Sequence, residues 1–170
     1  MTNMEDDDEA LIGRYARGDA AAFDQLYRRY ELSVWRYLER NVGDQAISDE
    51  LLQEIWFALA RNAASLESRF RARLFTLAHD RMTDSLRARA AKGGPAAAAS
   101  RPAAAHDPAN ALTQAIGQLS GEQREAYLLQ IEGQLSPGDI AEITESTIDT
   151  VQGRLRLARL KLHELLSEKT

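Results

Sequence analysis

The chain has no cysteine, so neither a disulfide framework nor a thiolate metal site can form. Its three histidines, His79, His106 and His163, are scattered and make no ligand cluster. No apolar run approaches the roughly 20 residues needed to cross a bilayer. The acidic opening MTNMEDDDEA cannot act as a signal peptide. A soluble cytoplasmic protein without membrane insertion is therefore expected. Strand-like alternation of useful length is lacking too. No nucleophile–base pair or metal constellation is visible, so neither an enzyme nor a cofactor-binding protein is expected.

What is present is helical patterning and uneven charge. With 170 residues and 44% hydrophobic content, the chain can bury one moderate core or two small ones. The net charge of −5 hides its distribution. Acids exceed bases up to Ala60. From Arg61 to Lys92, Arg61, Arg69, Arg71, Arg73, Arg81, Arg87, Arg89 and Lys92 face only Glu67, Asp80 and Asp84. Gly121–Thr150 is acidic with Arg124 as its single base, and Val151–Thr170 turns basic again. Two basic segments in an acidic chain suit DNA binding as part of a larger assembly.

Capping residues and apolar spacing divide the chain. Asp19 offers an N-cap for a helix carrying Phe23, Leu26, Tyr27, Tyr30, Val34, Tyr37 and Leu38, with Gly43 as a stop; its aromatics are expected in the core. Leu51, Leu52, Ile55, Trp56 and Leu59 form the apolar stripe of a second helix. At about 100° per residue, Glu50, Gln53, Glu54, Phe57 and Arg61 share its opposite side. An aromatic ringed by carboxylates suits a docking surface, although a partly exposed Phe on a solvated helix has the same pattern. After Asn62–Ser68, a third helix buries Phe70, Leu74, Leu77, Ala78 and Met82, leaving Arg71, Arg73, His79, Arg81, Arg87 and Arg89 for phosphates or bases. The Gly-, Ala- and Pro-rich stretch from Ala90 to Asp107 cannot build a core and reads as a linker.

Beyond it, Asp107-Pro108 opens a helix with Leu112, Ala115, Ile116 and Leu119, and Ser120 with Gln123 makes a capping box for the next. Ser136-Pro137-Gly138-Asp139 starts a short helix. A turn at Glu145-Ser146 and a cap at Thr147 then lead into a long last helix. Short helix, tight turn and long helix make a helix-turn-helix pattern. On the last helix, Ile148, Val151, Leu155, Ala158, Leu162 and Leu165 are expected to face the core.

These residues carry a resemblance. ELLQEIW at Glu50–Trp56 resembles the core-polymerase-binding helix of the extracytoplasmic-function group of sigma factors. FRARLFTLAHDRMTDSLR at Phe70–Arg87 resembles the segment that melts and reads the minus-ten element. LSGEQREAYLLQIEGQLSPGDIAEITESTIDTVQGRLRLARLKLHELL resembles the minus-thirty-five-reading domain. The resemblance implies an all-α fold of two small helical domains: 1–91, a flexible linker at 92–107, and 108–170. It implies core RNA polymerase, promoter DNA and an anti-sigma factor as partners. The polymerase would meet Glu50, Gln53, Glu54 and Phe57. Minus-ten recognition would fall to Asn62, Ser65, Ser68, Arg71, Arg73, His79, Asp80, Arg81 and Arg87, with the Asn62–Ser68 loop taking a flipped base. Minus-thirty-five recognition would fall to Thr147, Thr150, Gln152, Arg154, Arg156 and Arg159.

There are departures from the family pattern. Tryptophan usually stands where this chain has Arg73, and asparagine where it has Asp80. Glycine commonly makes the turn held here by Glu145, and basic or polar residues stand at Gln152 and Leu157. A sigma-like protein that sequesters polymerase or an anti-sigma partner is the rival reading. A stand-alone helix-turn-helix repressor is the third.

Overall fold

The computed structural model describes residues 7–66, 68–93 and 108–168, and among these it holds eight α-helices, one short 3-10 turn and no strand. The all-α expectation is met. Helix α1 (Asp8–Ala16) is capped by Asp7, and α2 (Ala20–Val42) by Asp19, whose carboxylate accepts from the Ala21 amide. Gly43 ends α2 at φ 71°, a left-handed conformation that a side chain would strain. Asp44 caps α3 (Gln45–Arg61), and the 3-10 turn Ala63–Ser65 leads to α4 (Phe70–Ala91).

Helix α2 is central to this half. It packs against α1, α3 and α4 because Leu26, Tyr30, Val34, Tyr37 and Leu38 recur along its length and are all buried. The expected core aromatics divide: Tyr30 and Tyr37 are inside, whereas Phe23 is half-buried and Tyr27 lies at the surface. The stripe Leu51, Ile55, Trp56 and Leu59 is buried, and so are Phe70, Leu74, Ala78 and Met82 on α4. Phe75, absent from the expected stripe, is fully buried edge-on to Tyr37 at 5.8 Å. Burying one such side chain is worth about 1.5–3 kcal/mol.

The second half comprises α5 (Pro108–Gly117), α6 (Gly121–Ile131), α7 (Pro137–Ile143) and α8 (Ile148–Ser167). Ser120, Ser136 and Thr147 cap α6, α7 and α8, each accepting the amide three residues on. Gly133 follows α6 where the chain turns back tightly. A Cβ there would lie 2.6 Å from the Leu129 carbonyl oxygen, so a larger residue would force the backbone apart. The stripe on α8 is buried at Val151, Leu155, Ala158 and Leu162. Ile148 is a correction: it is 51% exposed, because the first residue of the helix projects beyond the packing surface that covers the next three turns.

The two halves share a seam. Helix α2 touches α5 and α6, and α4 touches α7. The expected linker lies outside the described residues except Lys92 and Gly93, as does the expected cap at Asp107. Among the described residues no helix is long and apolar enough to cross a membrane.

Candidate protein and nucleic-acid interfaces

Three surfaces carry the residues singled out above. On α3, Glu50, Gln53, Glu54 and Phe57 are exposed together, with Phe57 at 67%. Phe57 edges an apolar groove walled by Phe23, Tyr27, Leu52 and Trp56. Phe23 and Tyr27 meet the Trp56 ring at 5.7 and 5.1 Å, so the groove floor is a packed aromatic cluster. A rigid apolar floor with a carboxylate rim fits a basic, partly apolar protein surface.

The second surface surrounds the start of α4. Asn62, Arg73, Asp80 and Arg81 line one cleft, whose far wall is Asp139, Glu142 and Ile143 of α7. Local bonds occupy several of their groups. The Asn62 amide donates to the Ala58 carbonyl at 2.8 Å, and the Ser65 hydroxyl to the Asn62 carbonyl at 2.8 Å. Arg73 donates to the Ser68 carbonyl at 3.0 Å, while Arg81 is 3.8 Å from Glu54 with both side chains well exposed. Ser68, Asp80 and Arg87 are exposed.

Other basic groups of this surface reach across the seam. Arg69 donates to Asp139 at 2.8 Å and to Glu142 at 3.0 Å, and Arg71 to the Gln134 side-chain oxygen at 3.4 Å. His79 pairs with Glu125, which also accepts from the Tyr37 hydroxyl at 2.9 Å. Arg40 meets Glu132 at 2.8 Å. The hydrogen bond to Glu125 raises the His79 pKa against the opposing effect of burial. Burial raises that of the Tyr37 hydroxyl first, and Glu125 adds to it. At Asp139 burial would raise the carboxyl, but hydrogen bonds from Ser136 and Arg69 outweigh it and the net shift is downward. Glu132 goes the other way despite its ion pair, since burial outweighs the attraction of Arg40. Sequence periodicity placed His79 on the polar side of α4 but could not show that an acidic helix covers it.

The third surface is the helix-turn-helix. Thr147 and Thr150 share a hydroxyl contact at 2.8 Å at the α8 N-terminus. Gln152 and Arg156 are exposed. Arg154 sits 3.2 Å from Glu122, and Arg159 donates to Gln130, so both tie α8 to α6. Leu157 and Leu160 stand 51% and 62% exposed on the outer side. The turn is a Schellman closure: the Ser146 amide donates to the Ala141 carbonyl at 2.9 Å and the Glu145 amide to the Glu142 carbonyl at 3.4 Å. Glu145 takes the left-handed position at φ 51°.

Buried Arg124 was missed as a structural residue. It donates to the carbonyls of Ile116, Gly117 and Leu119 at 3.2, 2.9 and 2.8 Å, closing the C-terminal end of α5. Its isolation as the one base of an acidic stretch was the available signal.

Known proteins resemble the chain in both of its halves. A family model described as sigma-70 region 2 matches residues 26–92, and one described as sigma-70, region 4 matches residues 109–162. The ECF RNA polymerase sigma factor SigK of Mycobacterium bovis (strain BCG / Pasteur 1173P2) is 28% identical over 178 aligned positions, covering 96% of this chain and 95% of that protein. SigK of Mycobacterium sp. (strain KMS) is 28% identical over 163 positions, covering 87% and 84%. Among solved structures, CnrH in complex with the cytosolic domain of CnrY superposes with a TM-score of 0.69 at 23% identity, covering 97% of this chain and 100% of that one. The sigma factor RpoE of Bartonella quintana, in complex with the anti-sigma factor NepR, gives 0.72 at 24% identity, with 85% and 96% covered. Both share the fold. With the two region models together spanning most of its length in the family order, the chain belongs to the sigma-70 family, in its extracytoplasmic-function group.

Proposed function

We propose that this chain binds core RNA polymerase through Glu50, Gln53, Glu54 and Phe57 and directs initiation at a specific set of promoters. The observation that carries the docking assignment is Phe57, a large apolar ring left two-thirds exposed amid carboxylates and beside an aromatic groove. In this reading residues 1–91 form the polymerase-binding and minus-ten domain, 92–107 the linker and 108–170 the minus-thirty-five domain. Asn62, Ser65, Ser68, Arg71, Arg73, His79, Asp80, Arg81 and Arg87 open and read the minus-ten element. Thr147, Thr150 and Gln152 read bases of the minus-thirty-five element, while Arg154, Arg156 and Arg159 hold phosphates. Two modest DNA faces on one chain gain affinity by effective concentration. Nucleotide addition belongs to the polymerase. An anti-sigma factor is a further partner, a reading supported by the complexes in which the two fold neighbours were solved.

A sequestering role is favoured by different features: Leu157 and Leu160 present an apolar face where base-reading groups are wanted, and Asp80 puts a carboxylate on the minus-ten side. In vitro transcription with purified core polymerase and genomic fragments from the source organism decides between the two. Discrete transcripts that require the chain establish initiation; core binding without transcripts establishes sequestration. The double reversal Glu50→Arg, Glu54→Arg is expected to weaken core binding by roughly a hundredfold, the size seen when charge pairs at an interface are broken. Its circular dichroism should be unchanged, and full retained affinity would sink the docking face.

A further inference from the structure

The second helix of the helix-turn-helix, α8, opens on an aliphatic side chain that the core does not cover. Ile148 is its first residue and is 51% exposed, with Thr147 and Asp149 beside it and Gln152 one turn on. All three of those neighbours are exposed and polar. The Ile148 Cδ1 lies 4.0 Å from where a Cβ on Gly138 would stand, so one edge of the side chain rests beside the first turn of α7. In a helix-turn-helix it is the N-terminal part of the second helix that meets base edges.

Gly153 supplies a second observation. It follows Gln152, and nothing lies within 4 Å of where its Cβ would be. Glycine weakens a helix interior, and no neighbour here requires it. The space it leaves lets the helix backbone come close to a bound edge.

We propose that Ile148 reads the C5 methyl group of a thymine in the minus-thirty-five element, with Gln152 setting the register on an adenine edge nearby. The inference deepens the minus-thirty-five reading of α8 and rests on it. In the major groove only thymine offers an apolar group, and a glutamine amide matches N6 and N7 of adenine. Residues four apart on a helix are separated by about 6 Å along its axis. Stacked bases are about 3.4 Å apart, so the two side chains reach base pairs one or two steps apart. A lone aliphatic among Thr147, Asp149 and Gln152 is too small for a protein-docking patch and matches a single methyl group. At about 100° per residue, Leu157 lies half a turn around the helix from Ile148, so the apolar surface of Leu157 and Leu160 is a separate feature.

The test uses the full chain assembled with purified core polymerase, and duplexes that differ by one methyl group. Selection from a randomised duplex library first gives the preferred upstream element. Each of its thymines is then replaced in turn by deoxyuridine, which keeps the pairing edge and lacks the methyl. One replacement is expected to weaken binding about fourfold, the effect of burying one methyl group. Ile148→Ala binds the thymine duplex as weakly as the parent binds the uracil one, and no longer distinguishes them. Ile148→Val, which keeps two methyl groups on Cβ, still distinguishes them, and so does Leu157→Ala. Replacing an adenine one or two steps away by 7-deazaadenine, which lacks the N7 acceptor, weakens binding about tenfold, and Gln152→Ala removes that effect. Equal affinity of the parent for every thymine and uracil duplex overturns the methyl contact. A uracil effect that survives Ile148→Ala overturns the assignment to Ile148, and a deazaadenine effect that survives Gln152→Ala overturns the register. Selection that enriches no upstream element sinks the minus-thirty-five reading itself, an outcome distinct from an element bound without regard to its methyl groups.

Discussion

At the scale of single residues, Glu145 shows how a departure from family pattern becomes a measurable energy. It occupies the turn position of a Schellman closure at φ 51°, where a Cβ crowds the carbonyl and costs about 1–2 kcal/mol. Glycine there would relieve the crowding, offset in part by its greater freedom in the unfolded chain. Glu145→Gly is therefore expected to be more stable than Glu145→Ala by about 1 kcal/mol in denaturant titration. Comparing the two removes the carboxylate from both arms, so equal stabilities would show that the strain does no more than cancel glycine's entropic cost. The turn itself was legible from Thr147, Ser136 and the spacing around them. Its left-handed residue was legible only through the resemblance, since nothing in glutamate's chemistry announces that conformation.

At the scale of elements, the sequence spoke most clearly where a rule is local. Apolar stripes located the helices α2, α3, α4 and α8, and Asp19, Ser120, Ser136 and Thr147 cap their helices as expected. Local rules failed where an element is completed by another. The periodicity of α8 carried Ile148 into the core because a stripe has no knowledge of where its packing partner ends. The carbonyls of Ile116, Gly117 and Leu119, at and just past the C-terminus of α5, are held by Arg124 from α6. Hydrogen bonds to a charged group are worth about 1.5–3 kcal/mol, and leaving buried carbonyls unpaired costs comparably. Arg124→Met should destabilise the C-terminal half by roughly 2–3 kcal/mol, with Arg124→Lys between it and the parent. Burial lowers the Arg124 pKa but leaves the guanidinium charged at neutral pH. A loss below about 0.5 kcal/mol in chemical denaturation would mean that water replaces the arginine freely.

At the scale of the whole molecule, the two domains were legible as separate units and their apposition was not. Charge blocks along the chain showed a basic α4 and an acidic Gly121–Thr150, but complementary blocks do not reveal whether they meet each other or two different partners. The seam makes the arrangement dependent on protons as well as salt. His79 faces Glu125 on α6, with the Tyr37 hydroxyl of α2 on the same carboxylate, Asp80 on its own helix and Glu145 at the α7–α8 turn. Its pKa is raised above the ordinary 6.5 in the closed form. Protonation therefore favours closure. The contribution is fully present below the open-state value and is lost as pH rises through the closed-state one. As pH rises from below the ordinary histidine value through the raised closed-state one, the distance between dyes carried by Arg28→Cys on α2 and Ser167→Cys on α8 should lengthen, and His79→Gln should abolish the pH response while leaving the salt response of Arg69 with Asp139 and Glu142. A pH response that survives His79→Gln would move the proton to another group. The remaining carboxylates of the seam would then be the place to look, beginning with Glu132, whose burial already raises its pKa beside Arg40.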